Sequence, residues 1–160
     1  MDMDMDKRNS ILIVDDEVAN IRLLLNILGA EYKLFAASNG KDAIEAAEKH
    51  SPDIILLDII MPEMDGYDVI AALRSREITK DIPVIFISGL GEACDEEKGL
   101  ACGAADYISK PFSPVVVKHR VRNQTRFINM RKDLESALNA ARDASGAKTQ
   151  EVPEKSPGLP

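Results

Sequence analysis

The segment IILLDIIMPEMDGYDVI, residues 54–70, decides the fold. It begins with a short run at 54–57 that is apolar on both alternating faces, which is typical of a parallel strand covered on both sides. Asp58 ends this run, and the turn residues Asp65 and Gly66 precede a helical pattern. The segment therefore predicts a buried strand that ends in a carboxylate and leads through a turn into a helix.

Similar strand and helix patterns alternate on both sides of this segment. Strong strand runs lie at 11–14 and 84–87, and weaker candidates lie at 32–36 and 105–108. The weaker two are interrupted by Lys33 and Asp106, which indicates edge strands. Apolar residues at helical spacing occur between the strands, at 18–28, 42–50, 67–74 and 92–102. This alternation predicts an α/β class, a doubly wound (βα)5 fold with a five-stranded parallel sheet in the order 2-1-3-4-5.

A long helical pattern follows Pro114 and runs without glycine or proline to about Ala144. Its apolar residues repeat at three- and four-residue spacing: Phe127, Met130, Leu134, Ala137 and Ala141. Two interpretations of this repeat stay open, packing against the domain or a contact with a second copy.

We expect a flexible N-terminus at 1–8, the α/β domain at 9–123, a C-terminal helical extension at 124–145 and a disordered tail at 146–160.

Composition and charge argue against several classes of protein. Of 160 residues, 45% are hydrophobic and 29% are charged, which is typical of a globular domain. The net charge of −7 argues against a general nucleic-acid binder, and the basic residues of the last helix are best interpreted as a solvated face. Apolar runs are far shorter than the roughly 20 residues of a membrane span. Cys94 and Cys102 form neither a CxxC pair nor the set of disulfide-forming cysteines typical of small secreted proteins, which indicates two reduced thiols. We therefore expect a soluble cytoplasmic protein.

Polar residues follow four of the predicted strands, and they are Asp15 with Asp16, Asp58, Ser88 and Lys110. Ligands of open α/β sheets bind at the carboxyl ends of the strands, and strands one and three are neighbours, so the three carboxylates should converge. Two carboxylates about 4 Å apart repel by roughly 4 kcal/mol at an effective dielectric constant near 20. Oxygen ligands without His or Cys favour Mg²⁺ as the compensating cation. A carboxylate, a cation, a lysine and a hydroxyl can together stabilise a transferring phosphoryl group, and we expect Asp58 to accept it.

The motifs ILIVDDE, IILLDIIMPEMDGYDVI, VIFISG and GAADYISKPF together resemble the receiver domain of two-component response regulators, over residues 9–123. This resemblance implies that Asp58 takes a phosphoryl group from a histidine kinase or phosphotransfer protein. It further implies that Asp16 and Asp58 bind Mg²⁺ directly, that Ile60 lends its backbone carbonyl, and that Asp15 acts through a water molecule.

The same resemblance implies a conformational switch that acts on a downstream protein effector. Ser88 would turn toward the phosphoryl oxygens and Tyr107 would swing inward, although simple packing is an equally good interpretation of Tyr107. Lys110 would pair with a phosphoryl oxygen, and the peptide bond between Lys110 and Pro111 would be cis. The responding surface would comprise the fourth predicted helix, the fifth strand and the final helix. The family's usual threonine is replaced here by Ser88, which keeps the hydroxyl, and the glycine-rich segment Gly89-Leu90-Gly91 follows it.

Two rival functions are weaker than a phosphorylation switch. A Mg²⁺-dependent phosphatase of the haloacid-dehalogenase type needs a second aspartate two positions after the nucleophile, where this chain has Ile60. An adaptor that takes no phosphate would not need the full set of acidic residues and Lys110. We therefore expect a switch and not an enzyme. The segment VKHRVRNQ before the long helix resembles receivers joined to cyclic-di-GMP enzymes of the GGDEF or HD-GYP kinds.

Overall fold

The computed structural model of the protein describes residues 8–89 and 101–155. The predicted helix at 92–102 lies largely outside the described residues, as do Leu90, Gly91 and Cys94. Within the described ranges, the elements in chain order are β1 (Ser10–Val14), α1 (Val18–Leu28), β2 (Lys33–Ala37), α2 (Gly40–His50), β3 (Ile54–Asp58), α3 (Gly66–Arg74), β4 (Val84–Ser88), β5 (Asp106–Ser109) and α4 (Pro114–Lys155).

The five strands form one parallel sheet in the order β2-β1-β3-β4-β5. The predicted α/β fold and strand order are therefore confirmed, and β2 and β5 are the edge strands. All residues of β3 and β4 are buried, which explains why their sequences are apolar on both faces. The crossovers from β1 to β4 are made by α1, α2 and α3, as the alternating pattern predicts.

The register of the sheet brings the carboxyl ends of four strands to one edge. Val14 in β1 lies opposite Leu57 in β3, and Asp58 at the end of β3 lies opposite Ile87 in β4. At the next step, Ser88 at the end of β4 lies opposite Ser109 in β5. Polar residues at or just after these positions are therefore held close together by backbone pairing alone.

The turn between β3 and α3 is fixed by local hydrogen bonds. Asp65 is the N-cap of α3, where its side chain accepts a hydrogen bond from the backbone N–H of Asp68 and the side chain of Asp68 accepts one from the backbone N–H of Asp65. This reciprocal pair is a capping box and satisfies two backbone donors at the helix start. Gly66 also donates its backbone N–H to the carbonyl of Ile59 at 2.7 Å, which folds the turn back over the end of β3.

The last helix, α4, begins at Pro114, where a missing N–H and a fixed φ suit the first turn. It runs to Lys155 and so extends past the predicted end near Ala144, into the segment at 146–160 for which a disordered tail was expected. A single glycine such as Gly146 costs only about 1 kcal/mol in a helix, so it need not end one.

The chain divides into two compact units, Met1–Thr125 and Arg126–Pro160, and the exact domain boundaries stay a prediction. Among the described helices, none combines the length and apolarity needed to cross a membrane.

Gly66 gives a direct test of how tightly the β3–α3 turn packs. A Cβ atom at this position would lie 2.8 Å from the carbonyl oxygen of Asp58 and 2.8 Å from the Cα atom of Ile59, and neither backbone atom can move without displacing the end of β3. We expect Gly66→Ala to lower the free energy of unfolding by about 1–3 kcal/mol in urea denaturation. The matched control is Gly89→Ala, whose Cβ would meet no atom of the described residues within 4 Å. Equal losses in the two variants would contradict the steric explanation.

Candidate functional site

The candidate site lies at the carboxyl edge of the sheet. Asp15 follows the last residue of β1, Asp58 is the last residue of β3, and Lys110 follows the last residue of β5. The Nζ atom of Lys110 lies 3.3 Å from Oδ2 of Asp15 and 3.3 Å from Oδ1 of Asp58. The structure therefore brings together three of the side chains that the sequence predicted to share one pocket.

Charge in this site is unbalanced. Asp15 is fully buried and Asp58 is only 2% exposed, whereas both face the single ammonium group of Lys110. One oxygen of Asp15 accepts a hydrogen bond from the backbone N–H of Glu17 at 2.9 Å. The other, Oδ2, accepts no hydrogen bond from any described residue, and Lys110 is its ion-pair partner. Buried carboxylates need compensation, so the site can accommodate additional positive charge.

Burial and the neighbouring charges change the acidity of the groups in this site. Burial and then the charge of Asp15 raise the pKa of Asp58 to about 7, although Lys110 acts in the opposite direction. Asp16 contributes a smaller increase to the pKa of Asp58. For Lys110, burial alone lowers the pKa, but the attraction of Asp58 and Asp15 outweighs it and leaves the pKa raised. A further cation near Asp58 would favour its ionised form.

An acidic cluster at the start of the loop after β1 offers oxygen ligands. Carboxylate oxygens of Asp15, Asp16 and Glu17 all lie within 4.8 Å of one another, with Asp15 buried and the other two exposed. Hard oxygen donors of this kind fit a divalent cation such as Mg²⁺. Glu17 was not among the predicted ligands, although it directly follows the two aspartates in the sequence. Asp58 does not belong to this cluster, and the Ile60 side chain is 60% exposed.

The remaining predicted residues lie on β4 and β5. Ser88 is fully buried at the end of β4, and its carbonyl accepts a hydrogen bond from the backbone N–H of Lys110 at 2.6 Å. The Lys110–Pro111 peptide bond is cis, as the resemblance implied. Tyr107 pairs in register with Phe86 and is partly buried against the hydrophobic core. These positions are compatible with a switch, and the roles of Ser88 and Tyr107 stay predictions.

A family model described as the response regulator receiver domain matches residues 11–122. The chain belongs to this family. The match covers all of the sheet except the first residue of β1, together with the carboxyl edge that holds Asp15, Asp58 and Lys110. The predicted resemblance to receivers of two-component signalling is therefore confirmed.

Named relatives and a solved structure agree with this assignment. The receiver is 42% identical over 123 residues to the probable transcriptional regulator ycf27 of Pyropia yezoensis, covering 75% of this chain and 49% of the relative. It is 45% identical over 118 residues to the response regulator PleD of Caulobacter vibrioides, covering 73% of this chain and 26% of PleD. A crystal structure of a putative response regulator from Chloroflexus aurantiacus matches with a TM-score of 0.70 and 33% identity, covering 74% of this chain and 98% of that one. This chain thus spans half or less of the length of these curated relatives.

The raised pKa of Asp58 predicts a pH-dependent stability of the receiver without metal. Because the folded state binds its proton up to about pH 7 and the unfolded state only up to about pH 4, the free energy of unfolding should fall as the pH rises through this window. Asp58→Asn removes this ionisation. In urea denaturation with a chelator, we expect the variant to be more stable than the wild type at about pH 8 and equal to it below about pH 4.

The matched control for this experiment is Asp143→Asn, which changes an exposed carboxylate on α4. It should leave the pH dependence of the free energy of unfolding unchanged. An Asp58→Asn variant that is less stable than the wild type at high pH would show that Lys110 compensates the buried charge fully.

Proposed function

We propose that this receiver accepts a phosphoryl group on Asp58, in a Mg²⁺-dependent reaction, from a histidine kinase or phosphotransfer protein. The observation that carries this proposal is the position of Lys110, 3.3 Å from both buried carboxylates. Two buried acids that share one lysine form a site with surplus negative charge and one cationic group positioned at its rim. Such a site is suited to a divalent cation followed by a phosphoryl group.

The proposed metal ligands are the carboxylates of Asp16 and Asp58 and the backbone carbonyl of Ile60, with Asp15 acting through a water molecule. The acidic cluster that includes Asp15 and Asp16 supports this assignment, since its oxygens are close enough to face one ion. Mg²⁺, when bound, would offset the repulsion among the carboxylates and among the phosphoryl oxygens. It would also keep Asp58 ionised at neutral pH, against the effect of burial on its pKa.

In the proposed reaction, a carboxylate oxygen of Asp58 forms a bond to phosphorus while the bond between phosphorus and the donor's histidine nitrogen breaks. The electron pair of the broken bond stays on that nitrogen. Lys110 would exchange its contact with Asp58 for a phosphoryl oxygen and so stabilise the charge that moves into the site. The product carries about −1.5 to −2 charge where the carboxylate carried −1.

The added charge would bias a two-state surface. Ser88 would contribute its hydroxyl to the phosphoryl group, and Tyr107 would follow it inward. The hydrogen bond between the backbone N–H of Lys110 and the carbonyl of Ser88 supports this coupling, because it joins the ends of β4 and β5. The proposed output is binding of a downstream protein effector, together with a homodimer through α4. The cytoplasm as its location stays a prediction.

The rival phosphatase function is not favoured by the site. The position two residues after Asp58 is occupied by Ile60, whose exposed apolar side chain can neither donate nor accept a proton. A phosphorylated Asp58 would therefore have no carboxylate at position 60 to activate a water molecule for hydrolysis. The function proposed is therefore a switch in two-component signal transduction.

Beryllofluoride with Mg²⁺ tests the phosphoryl acceptor, because it mimics an acyl phosphate on a carboxylate. We expect saturable binding and NMR chemical-shift changes at Ser88 and Tyr107 in the wild type, and neither in Asp58→Ala. The control variant Asp143→Asn should respond as the wild type does. An unresponsive wild-type protein would favour the adaptor interpretation.

Calorimetric titration with Mg²⁺ tests the ligand set. Loss of a direct carboxylate ligand should weaken binding by roughly tenfold or more, so we expect this of Asp16→Asn. Glu17→Gln should change the dissociation constant by less than about threefold, since Glu17 is not a proposed ligand. The reverse order of effects would assign the ion to the exposed part of the acidic cluster and away from Asp58.

A further inference from the structure

The middle of α4 carries large apolar side chains that are exposed. Phe127 is 68%, Met130 66%, Leu134 60% and Leu138 49% exposed. Together with the exposed Ala141 they follow one face of the helix, and we call these five residues the apolar stripe. Residues on the opposite face, such as Ser136, are polar and exposed. The helix is therefore amphipathic in a region where its apolar face is open to solvent.

An exposed stripe on a helix favours association. Isolated helices gain little stability from propensity alone, and most of it comes from packing an apolar face. Single exposed apolar residues are common on soluble proteins, but a continuous row of four large apolar side chains is typical of an interaction surface.

The spacing within the stripe is symmetric about its centre. From Phe127 to Ala141 the steps are three, four, four and three residues, so that Leu134 lies in the middle. A second copy of the helix that runs in the opposite direction would therefore place Leu134 against its own counterpart. Met130 would lie against Leu138, and Phe127, the largest member, against Ala141, the smallest. At both ends of the pair, a large side chain of one helix therefore meets a small one of the other, which favours close packing.

A parallel pairing fits the same residues less well. In register, it would place Phe127 against Phe127 at one end and Ala141 against Ala141 at the other, which crowds the first layer and leaves space in the last. Parallel helices also bring opposite flanks of the seam together, so that Arg126 of one copy would face Arg131 of the other. The contact between these two arginines would be repulsive.

An antiparallel pairing improves the charge contacts around the centre. In an antiparallel pair, the same side of the stripe on each helix faces the other copy. Arg131 and Glu135 both lie on one of these sides. Arg131 of each copy would then lie beside Glu135 of the other, in two symmetric ion pairs. On the other flank, Asp133 would face its own counterpart in an exposed and screened contact, which weakens the pairing slightly.

We propose that the apolar stripe binds a second copy of this chain in an antiparallel helix pair centred on Leu134. This inference rests on the part of the proposed function that assigns a homodimer to α4, and it names the geometry of that dimer. The contact extends over about 15 residues, or roughly 22 Å of helix, so the dimer should form reversibly and depend on concentration.

Site-directed crosslinking tests the direction of pairing. Cys94 and Cys102 are first replaced by serine, and Phe127→Cys and Ala141→Cys are then introduced in separate proteins. With a short bismaleimide, we expect the mixture of the two proteins to crosslink roughly tenfold faster than either protein alone. Faster crosslinking of the Phe127→Cys protein with itself would establish a parallel pair and overturn the proposal. The absence of any crosslink at high protein concentration would also overturn it.

Charge reversal provides an independent measurement by sedimentation. Arg131→Glu should weaken the dimer several-fold in the antiparallel arrangement, because the new carboxylate at position 131 would lie beside Glu135 of the other copy. In a parallel arrangement the same variant should strengthen the dimer, since that carboxylate would face Arg126. Leu134→Glu should abolish dimerisation, and the control Ser136→Glu should not. Beryllofluoride binding by Leu134→Glu, measured separately, shows whether a failure concerns the dimer or the proposed phosphoryl acceptor.

Discussion

The shared ion pair of Lys110 with Asp15 and Asp58 is the interaction on which the site depends. Both carboxylates are buried, and a single ammonium group lies 3.3 Å from each of them. A buried charge without a partner is strongly destabilising, so the approach of Lys110 to both acids reduces the cost of burying them. The compensation is incomplete, and the remaining negative charge is what makes the site receptive to a cation.

The sheet supplies the positions for this arrangement. Neighbouring parallel strands hold Asp58 and Ser88 at their carboxyl ends, while Lys110 follows β5 and is tied to Ser88 through its backbone N–H. The close approach of Gly66 to the backbone of Asp58 folds the following turn tightly over the end of β3. Stability is given up at this edge, since burial and the charge of Asp15 raise the pKa of Asp58 to about 7.

Much of this site could be predicted from the sequence because strand ends are easy to recognise. Apolar runs that stop at Asp58 and before Asp15 marked the strand ends, and the parallel order then required their side chains to meet. The proximity of Glu17 to the two aspartates was not predicted, since it depends on how the loop after β1 turns, which spacing does not specify. The helical extension was predicted to end at 145, whereas α4 ends at Lys155, and an established helix can continue through one glycine such as Gly146. The bounds of the extension and of the tail stay a prediction.

Reductive trapping of the phosphorylated protein tests most directly whether Asp58 accepts the phosphoryl group. The receiver is incubated with Mg²⁺ and acetyl phosphate, treated with borohydride to convert any aspartyl phosphate to homoserine, and digested for mass spectrometry. We expect homoserine at position 58, its loss when Mg²⁺ is chelated, and a strong reduction in Lys110→Ala. Homoserine at position 15 or 16 in place of 58 would contradict Asp58 as the acceptor, and modification at 58 that is independent of Lys110 and of the metal would contradict their proposed roles.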